Sequence, residues 1–431
     1  MPAADNIQRT IDAVWRIESP KLIGALARMV RDVGLAEELA QDALLAALET
    51  WPAQGVPENP GAWLLTTARR RAIDRLRRRP LLDRSHAEIG RSMDEEREAA
   101  VEALESAIDD DIGDDLLRLM FVACHPLLSA EARTALTLRL VAGLTTAEIA
   151  RAFLTPEPTI AQRIVRAKRT LADARVPFEV PRGAERAERL ASVLEVIYLV
   201  FNEGYSATAG SDWMRPQLCE EALRLGRILA GLAPAEPEVH GLVALMEIQA
   251  SRAKARTGPG GEPVLLLDQN RARWDQILIR RGLAALAKAE SLGGAGGFYA
   301  LQAAIAACHA RARTAGETDW PRIVALYDRL FALAPSPVVA VNRAVAVGMA
   351  EGPEAGLAAV DALRGEPALG GYHLLPGVRG DMLARLGRYA EAAVEFERAA
   401  GLTRNARERT LLSDRAARSR AQAGDSVALN R

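Results

Sequence analysis

Apolar residues recur at a helical period along almost the whole chain. In residues 160–171, for example, Ile160, Ile164, Ala167 and Leu171 follow the i, i+4, i+7, i+11 spacing of one helix face. Alanine and leucine dominate the composition, and runs of β-branched residues are short. The pattern therefore predicts an all-α protein.

Two amphipathic helices are predicted between residues 32 and 79. The apolar side of the first, at residues 32–51, consists of Leu35, Leu39, Ala43, Ala46 and Ala47. The second helix begins near Pro60 and ends before Pro80, because proline fits the first turn of a helix and interrupts it further on. Its buried stripe is expected to contain Trp63, Leu64, Ala68, Ala72 and Leu76.

The second helix ends in a dense arginine cluster. Residues 69–79 contain seven arginines and one aspartate, a net charge of +6. Guanidinium groups bind phosphate bidentately and stack on unpaired bases, so this face suits a partly single-stranded nucleic acid. The alternative is that the arginines are only the solvated surface of an arginine-rich protein.

A helix-turn-helix is predicted at residues 144–171. Thr145 or Thr146 is expected to cap its first helix, with Glu148 close to the capping-box position. Residues 155–158 end this helix and start the next one. The second helix is expected to present on one outer face Thr159, Gln162, Arg163, Arg166 and Arg169. Such a face is typical of a major-groove reader, and the alternative is a generic pair of helices.

Charge is distributed unevenly along a chain that is nearly neutral as a whole. Its 55 lysines and arginines and 56 aspartates and glutamates give a net charge of −1. Residues 88–115 carry 12 acidic residues against two arginines and are expected to form a solvated linker. Residues 151–175 carry a net charge of +4. Two cationic stretches on either side of a polyanionic one indicate a protein that contacts DNA at two sites.

The order of these features resembles a known family. AEELAQDALLAAL, a loop, and NPGAWLLTTARRRAIDRLRR resemble region 2 of an extracytoplasmic-function (ECF) sigma factor of the sigma-70 family. LTTAEIARAFLTPEPTIAQRIVRAKRTL resembles region 4 of the same family. The resemblance implies an alternative RNA polymerase sigma factor, which binds core polymerase, recognises and melts the −10 promoter element, and recognises the −35 element.

The resemblance also implies roles for individual residues. The clamp helices of the polymerase β′ subunit would be bound by Glu38, Gln41 and Leu44. The loop at 52–59 would capture a flipped −10 base, and the −10 DNA would be bound by Asn59, Trp63, Thr66, Thr67, Arg70, Arg71, Arg75 and Arg78. The −35 DNA would be bound by Thr159, Gln162, Arg163, Arg166, Lys168 and Arg169. Region 4 would also touch the β-subunit flap. The sequence departs from the family at Arg70, where ECF factors often carry asparagine.

The acidic linker is long enough for this assignment. An extended chain of about 33 residues reaches roughly 110 Å, whereas promoter elements about two DNA turns apart need about 70 Å. Because promoter DNA would repel its carboxylates, the linker is expected to lie in the cationic interior channel of the polymerase.

Residues 179–431 are predicted to form a helical-repeat extension. Residues 380–402 resemble a tetratricopeptide (TPR) unit at Leu386, Gly387, Tyr389, Ala392, Phe396 and Ala399. The spacings from Tyr327 to Val360 (33 residues) and from Val360 to Phe396 (36 residues) bracket the TPR period of about 34 residues. A weaker unit is expected to end near Leu229 and Pro234. The stack is expected to bind a peptide or protein partner, or only to pack on the sigma regions and stabilise them.

The layout as a whole resembles a subgroup of ECF sigma factors that has a TPR-like extension and an FNEGY stretch, here residues 201–205. Asn202, Glu203 and Tyr205 are expected either to contact the sigma regions or polymerase, or to cap a helix end. The extension is expected to regulate or stabilise the sigma factor, in place of a separate membrane-bound anti-sigma factor.

Several classes of protein are not indicated. Three cysteines are too few for a disulfide framework, and the Cys-His pairs at 124–125 and 308–309 lack a metal-ligand spacing. A phosphate-binding loop and hydrolase motifs are lacking, so neither an enzyme nor a cofactor is expected. The sequence shows no 18-residue apolar run and no signal peptide, so a cytoplasmic protein that does not bind membranes is expected.

Four domains are expected: region 2 at 1–80, the linker at 81–115, region 4 at 116–178 and the extension at 179–431. Two other functions remain open at this point. One is a helix-turn-helix regulator with a TPR sensor, which acts without docking on core polymerase. The other is a TPR adaptor whose basic segments are incidental.

Overall fold

The computed structural model describes residues 2–83, 112–208, 210 and 212–429, without the side chains of residues 2–6, 8, 9, 76–83, 112–114, 184 and 425–429. The regular structure of these residues consists of 18 α-helices and five short 3-10 turns, with no β-strand. The all-α prediction is therefore confirmed. The contacts divide the chain into two compact units, residues 1–197 and 198–431.

The first unit begins with three helices, which we call the N-terminal segment (residues 2–83). They are α1 (Pro2–Val30), α2 (Val33–Gln54) and α3 (Pro60–Asp83). The side chain of Asp32 caps α2 by accepting a hydrogen bond from the amide of Leu35 at 3.0 Å. Leu39, Ala43 and Ala47 of α2 are buried, as the apolar pattern predicts.

The predicted stripe of α3 is only partly buried. Leu64, Ala68 and Ala72 are fully enclosed. Trp63 is half-buried and packs edge-on against Trp51, with ring centroids 5.4 Å apart. Leu76 lies where side chains are outside the described residues.

Four helices follow in the helix-turn-helix segment (residues 112–178). They are α4 (Ile112–Ala123), α5 (Ala130–Leu140), α6 (Thr146–Ala152) and α7 (Glu157–Asp173). The predicted capping box is confirmed: Thr145 Oγ1 accepts from the amide of Glu148 at 3.2 Å, and Glu148 Oε2 accepts from the amide of Thr145 at 2.8 Å. The buried stripe of α7 is also the predicted one, Ile160, Ile164, Ala167 and Leu171.

The first unit extends to residue 197, beyond the predicted domain boundary at residue 178. Helix α8 (Gly183–Tyr205) begins after residue 182, and its residues up to Ile197 belong to the first unit. Ser192 Oγ donates to the carbonyl oxygen of Cys124 at 2.5 Å, and Arg133 forms an ion pair with Glu195 at 3.1 Å. Residues 183–197 are thus part of the packing of the helix-turn-helix segment.

The second unit is a succession of helices in which chain neighbours pack on each other. These helices are α9 (Pro216–Leu232), α10 (Pro237–Ala250), α11 (Gln276–Ser291), α12 (Phe298–Arg311), α13 (Trp320–Leu333), α14 (Pro337–Ala350), α15 (Pro353–Asp361), α16 (Leu374–Arg385), α17 (Tyr389–Leu402) and α18 (Ala406–Leu429). Helices α9, α10, α14 and α15 begin with proline, which has the backbone φ of a first helical turn and needs no amide partner there.

The arrangement of α13 to α17 is compatible with the predicted repeat. Tyr327, Val360 and Phe396, which mark the repeat spacing, lie on the alternate helices α13, α15 and α17. Gly387 joins α16 to α17 with φ +75°, a conformation that costs glycine little. Gly380 lets α16 approach α17 closely, because a Cβ there would lie 2.7 Å from the Phe396 ring. The assignment of these helices to the TPR family stays a prediction.

The predicted linker is shorter at its C-terminal end than the sequence indicated. Residues 84–111 lie outside the described residues, but residues 112–115 form the first turn of α4. Asp115 is only 2% exposed, because Arg28 and Arg118 contact its carboxylate at 3.3 Å and 2.6 Å. Its charge is thus neutralised inside the fold rather than solvated. No helix among the described residues is long and apolar enough to span a membrane.

Candidate nucleic-acid interface

The basic face of α3 is accessible to solvent. Arg70 and Arg75 are exposed, and Arg71 is half-exposed. Arg75 Nη2 lies 3.2 Å from Glu38 Oε2, and the two side chains are 53% and 59% exposed. Arg71 donates to the carbonyl oxygen of Asp42. Exposed ion pairs contribute at most about 1 kcal/mol, so a phosphate group can replace these carboxylate and carbonyl partners.

The predicted −10 residues at the start of α3 have local structural roles. Asn59 Oδ1 accepts a hydrogen bond from the amide of Ala62 at 3.1 Å, which caps the helix. Thr66 is exposed, and its Oγ1 donates to the carbonyl oxygen of Ala62 at 2.8 Å. Thr67 is half-buried. Arg78 lies on α3, but its side chain is outside the described residues.

The three residues predicted to contact polymerase lie on α2. Glu38 is exposed, and Leu44 is half-buried beside Leu45, which is 56% exposed. Gln41 Nε2 donates to Glu37 Oε1 at 2.8 Å. Glu38, Gln41 and Leu44 are three residues apart, so they form one continuous strip along the helix.

Most of the predicted −35 residues share one face of α7. Thr159, Gln162 and Arg166 are exposed, and Arg163 is half-buried on the same face. Arg169 is 81% exposed and forms a loose pair with Asp173 at 3.5 Å. The turn before α7 contains Leu154, whose positive φ of +47° reverses the chain between the two helices. The second helix of the pair therefore offers a polar and basic surface at its N-terminal half.

Lys168 does not lie on this face. At about 100° per residue, it is rotated by about half a turn from Thr159. Its Nζ lies 2.8 Å from Glu37 Oε2, and its side chain is only 22% exposed. The structure thus separates Lys168 from the other predicted −35 residues, and its contact with DNA stays a prediction.

Glu37 is a functional candidate that sequence reasoning missed. It is 3% exposed, and Arg139 Nε approaches its Oε1 at 2.7 Å while Lys168 contacts its Oε2. Burial by itself raises the pKa of Glu37, but the opposing attraction of Lys168 and Arg139 leaves this pKa below its ordinary value. The one available signal was an acidic residue at a buried position of α2, between Ala36 and Leu39.

The FNEGY stretch is part of an ordered cluster within the second unit. Glu203 accepts a hydrogen bond from Thr208 Oγ1 at 2.8 Å and pairs with Arg215. The guanidinium of Arg256 lies 3.5 Å from the centroid of the Tyr205 ring, a cation–π contact. The backbone carbonyl oxygen of Asn202 accepts a hydrogen bond from the amide of Ser206. These contacts give the stretch a structural role in its own unit.

The three cysteines are buried. Burial raises the pKa of Cys124 and of Cys219 to about 12 and also raises the pKa of Cys308. Burial together with Arg252 and Arg271 lowers the pKa of the neighbouring His309 to about 3. Within the part of the chain that the structure describes, no group of three or more His, Cys, Asp or Glu is arranged to hold a metal ion.

Two helical segments, one with an arginine-rich helix and one with a helix-turn-helix, define a protein of the sigma-70 class. The Sigma-70 region 2 family matches residues 15–80, and the Sigma-70, region 4 family matches residues 118–171. A family of unknown function (DUF6596) matches residues 189–290. No solved structure gave a significant match.

Two similar proteins indicate which group within the sigma-70 class the chain belongs to. "Uncharacterized protein R00370" of Rhizobium meliloti (strain 1021) is 47% identical over 402 residues, which cover 92% of this chain and 93% of that protein. "ECF RNA polymerase sigma factor SigK" of Mycobacterium ulcerans (strain Agy99) is 34% identical over 155 residues, or 35% of this chain and 78% of SigK. The chain belongs to the ECF RNA polymerase sigma factors and is an alternative sigma factor with a helical C-terminal extension. The regulator that acts without core polymerase is therefore not favoured.

Proposed function

We propose that the chain directs core RNA polymerase to promoters by three separate surfaces. The strip Glu38, Gln41 and Leu44 on α2 binds the β′ clamp helices. The basic face of α3 binds the melted −10 strand, and the outer face of α7 binds the −35 duplex. The observation that carries the proposal is that a sigma region 2 and a sigma region 4 each present an exposed arginine-bearing helix face.

At the −10 element the protein stabilises unpaired bases rather than performing chemistry. Removing a base from the stack costs a few kcal/mol, and stacking on a side chain returns about 1–3 kcal/mol per base. Trp63 offers a half-exposed ring near the 52–59 loop, and Arg70 offers an exposed guanidinium. Phosphate contacts by Arg71 and Arg75 would hold the strand along the helix, in exchange for their weak pairs with Asp42 and Glu38.

At the −35 element α7 is the reading helix. Its Thr159, Gln162, Arg163 and Arg166 follow the i, i+3, i+4, i+7 spacing, so they reach one groove together. Each well-formed side-chain contact to a base contributes about 1–3 kcal/mol of discrimination. Arg169 lies further along the same face and is placed to contact the phosphate backbone.

The acidic linker connects the two DNA-binding segments within the polymerase. We place it in the cationic interior channel, away from promoter DNA, because of its carboxylates. Replacing the acidic residues between 94 and 111 by serine is expected to slow open-complex formation or promoter escape. Unchanged rates for both steps would contradict this placement.

The C-terminal extension acts on the sigma factor as a regulatory or stabilising module, and its TPR-like helices offer a surface for a protein or peptide partner. Serial helix packing over α9–α18 supports this, since stacked helix pairs commonly present such surfaces. A deletion should keep residues 1–197, because α8 packs on the first unit as far as Ile197. If this shortened chain showed the same promoter-specific transcription and control as the full chain, the proposal for the extension would be wrong.

The experiment that tests the main proposal is transcription in vitro with purified core polymerase. Promoters are first obtained by mapping transcription starts in cells with and without the protein. Arg70→Ala, Arg71→Ala and Arg163→Ala are each expected to reduce initiation, whereas Arg313→Ala, an exposed arginine of the second unit, is the matched control. Initiation that is absent with the wild-type chain, or equal in all variants, would refute the proposed function.

A further inference from the structure

A buried carboxylate joins the N-terminal segment to the helix-turn-helix segment. Glu37 of α2 forms ion pairs with two cations. Arg139 Nε of α5 lies 2.7 Å from its Oε1, and Lys168 Nζ of α7 lies 2.8 Å from its Oε2. Its side chain is only 5% exposed, while both basic side chains are 22% exposed. A carboxylate in this position has to be paired, because an unpaired buried charge is strongly unfavourable. The contact therefore depends on both segments being docked.

Other contacts show that the docking is a packed interface. Gly143, between α5 and α6, has φ +70°, and a Cβ at this position would lie 3.1 Å from Ser19 Oγ of α1. Arg28 of α1 pairs with the buried Asp115 of α4. The backbone of Asp115 lies so close to Gly24 that a Cβ there would be 3.1 Å from its carbonyl oxygen. Close backbone approach of this kind requires one defined arrangement of the segments.

Docking brings residues with different predicted partners into a single cleft. This cleft, of about 430 Å³, is lined by Glu38 and Arg75 on one side and by Val165, Lys168 and Arg169 on the other. Glu38 is predicted to meet polymerase, Arg75 the −10 strand, and Lys168 and Arg169 the −35 duplex. Promoter elements lie about 70 Å apart, so these residues cannot remain in one cleft while each contacts its partner.

We propose that this arrangement is a closed state of the sigma factor, with Glu37 as the latch that holds region 4 on region 2 until polymerase separates them. The proposal rests on the proposed function, because it assigns a regulation to the same binding surfaces. Glu37 on α2 thus binds another part of the same chain, namely α5 and α7. Opening removes α7 from beside Glu38, which leaves room for the polymerase there, and frees Lys168 for DNA.

A latch made of a buried ion cluster suits a reversible switch. The attraction of Glu37 for its two cations is offset largely by the loss of hydration of all three groups, so the net contribution of this cluster to docking is small. When the segments separate, each group regains water, and no charge stays buried without a partner. The closed state can therefore dominate in the free chain and still give way to a partner that binds only the open state.

The test compares Glu37→Gln with Glu49→Gln in the full-length chain. Both substitutions remove one carboxylate from α2, but Glu49 is exposed. Donor and acceptor dyes are attached at Glu58→Cys and Ala174→Cys, which are exposed positions of the two segments, while the three native cysteines are buried. Energy transfer between the dyes reports the distance between the segments, and titration with core polymerase reports affinity.

Glu37→Gln is expected to lower energy transfer in the free chain and to tighten core-polymerase binding by at least about 5-fold, whereas Glu49→Gln changes neither. Lys168→Met, which keeps the aliphatic stem and removes the charge, is expected to shift energy transfer in the same direction. This second variant keeps the test decisive if Glu37→Gln fails to fold, a defect that far-ultraviolet circular dichroism would reveal. Equal energy transfer in Lys168→Met, Glu49→Gln and wild type would overturn the latch. Lower energy transfer in a chain that never binds polymerase would leave the latch standing and refute the proposed function.

Discussion

Glu203 of the FNEGY stretch offers the sharpest test of the second unit. Its carboxylate accepts a hydrogen bond from Thr208 Oγ1 at 2.8 Å and forms an ion pair with Arg215. The side chains of Glu203 and Arg215 are only 11% and 13% exposed. We change Glu203 to Gln, which keeps the shape and one acceptor but removes the charge. The matched control is Glu220→Gln, an exposed carboxylate on α9.

The expected loss follows from the burial of the pair. Removing one partner of a fully buried ion pair costs about 3–5 kcal/mol. Because glutamine still accepts one hydrogen bond and some water reaches the pair, we expect the smaller loss of about 2–3 kcal/mol. Local opening around residues 203–215 should then be roughly 30- to 150-fold more frequent.

Native-state hydrogen exchange measures this opening. The amide of Arg215 donates to the carbonyl oxygen of Gly204 at 2.7 Å, and the amide of Ala207 donates to that of Trp213 at 3.1 Å. Both amides are expected to exchange faster in Glu203→Gln and at the wild-type rate in Glu220→Gln. If the two variants differed by less than about 3-fold, the pair would not hold the segment, and the FNEGY stretch would not have this structural role.

Three further predictions concern other parts of the chain. The buried neutral imidazole of His309, with its pKa lowered to about 3, stabilises the folded chain above pH 6.5 and contributes a fall of about 2 kcal/mol in the unfolding free energy between pH 6.5 and 5. In urea unfolding, the fall over this pH range should therefore be smaller by about this amount in His309→Gln than in wild type. Gly143→Ala should lower stability by about 1–2 kcal/mol through its positive φ, whereas Gly231→Ala, in an open part of α9, should not lower it; thermal unfolding compares them. Arg166→Ala should reduce the slope of log affinity against log salt for polymerase-bound promoter by about 1, and Arg313→Ala should leave it unchanged.

The features that could be predicted from sequence are those encoded locally. The buried stripe of α7 and the capping box of Thr145 and Glu148 follow from residues within a few turns of each other. The exposed arginines of α3 follow from the same periodicity. Local spacing therefore places the candidate DNA-binding faces with little help from tertiary structure.

The features that could not be predicted depend on distant partners. Glu37 and Lys168 are 131 residues apart in sequence. The acidic residue at a buried position of α2 is visible in the sequence, but its partners are not. Helical spacing can show that Lys168 lies away from Thr159, but it does not show what Lys168 contacts. Asp115 is a similar case: it continues an acidic run in sequence, yet Arg28 and Arg118 enclose its carboxylate in the fold.

The burial of all three thiols has a consequence for the conditions under which this sigma factor can work. Peroxides and disulfides react with the thiolate form of cysteine, and a pKa of about 12 leaves Cys124 and Cys219 almost entirely protonated at neutral pH. The folded chain is therefore insulated against direct oxidation at these positions. Oxidation of Cys124 or Cys219 would require the fold to open around the thiol first.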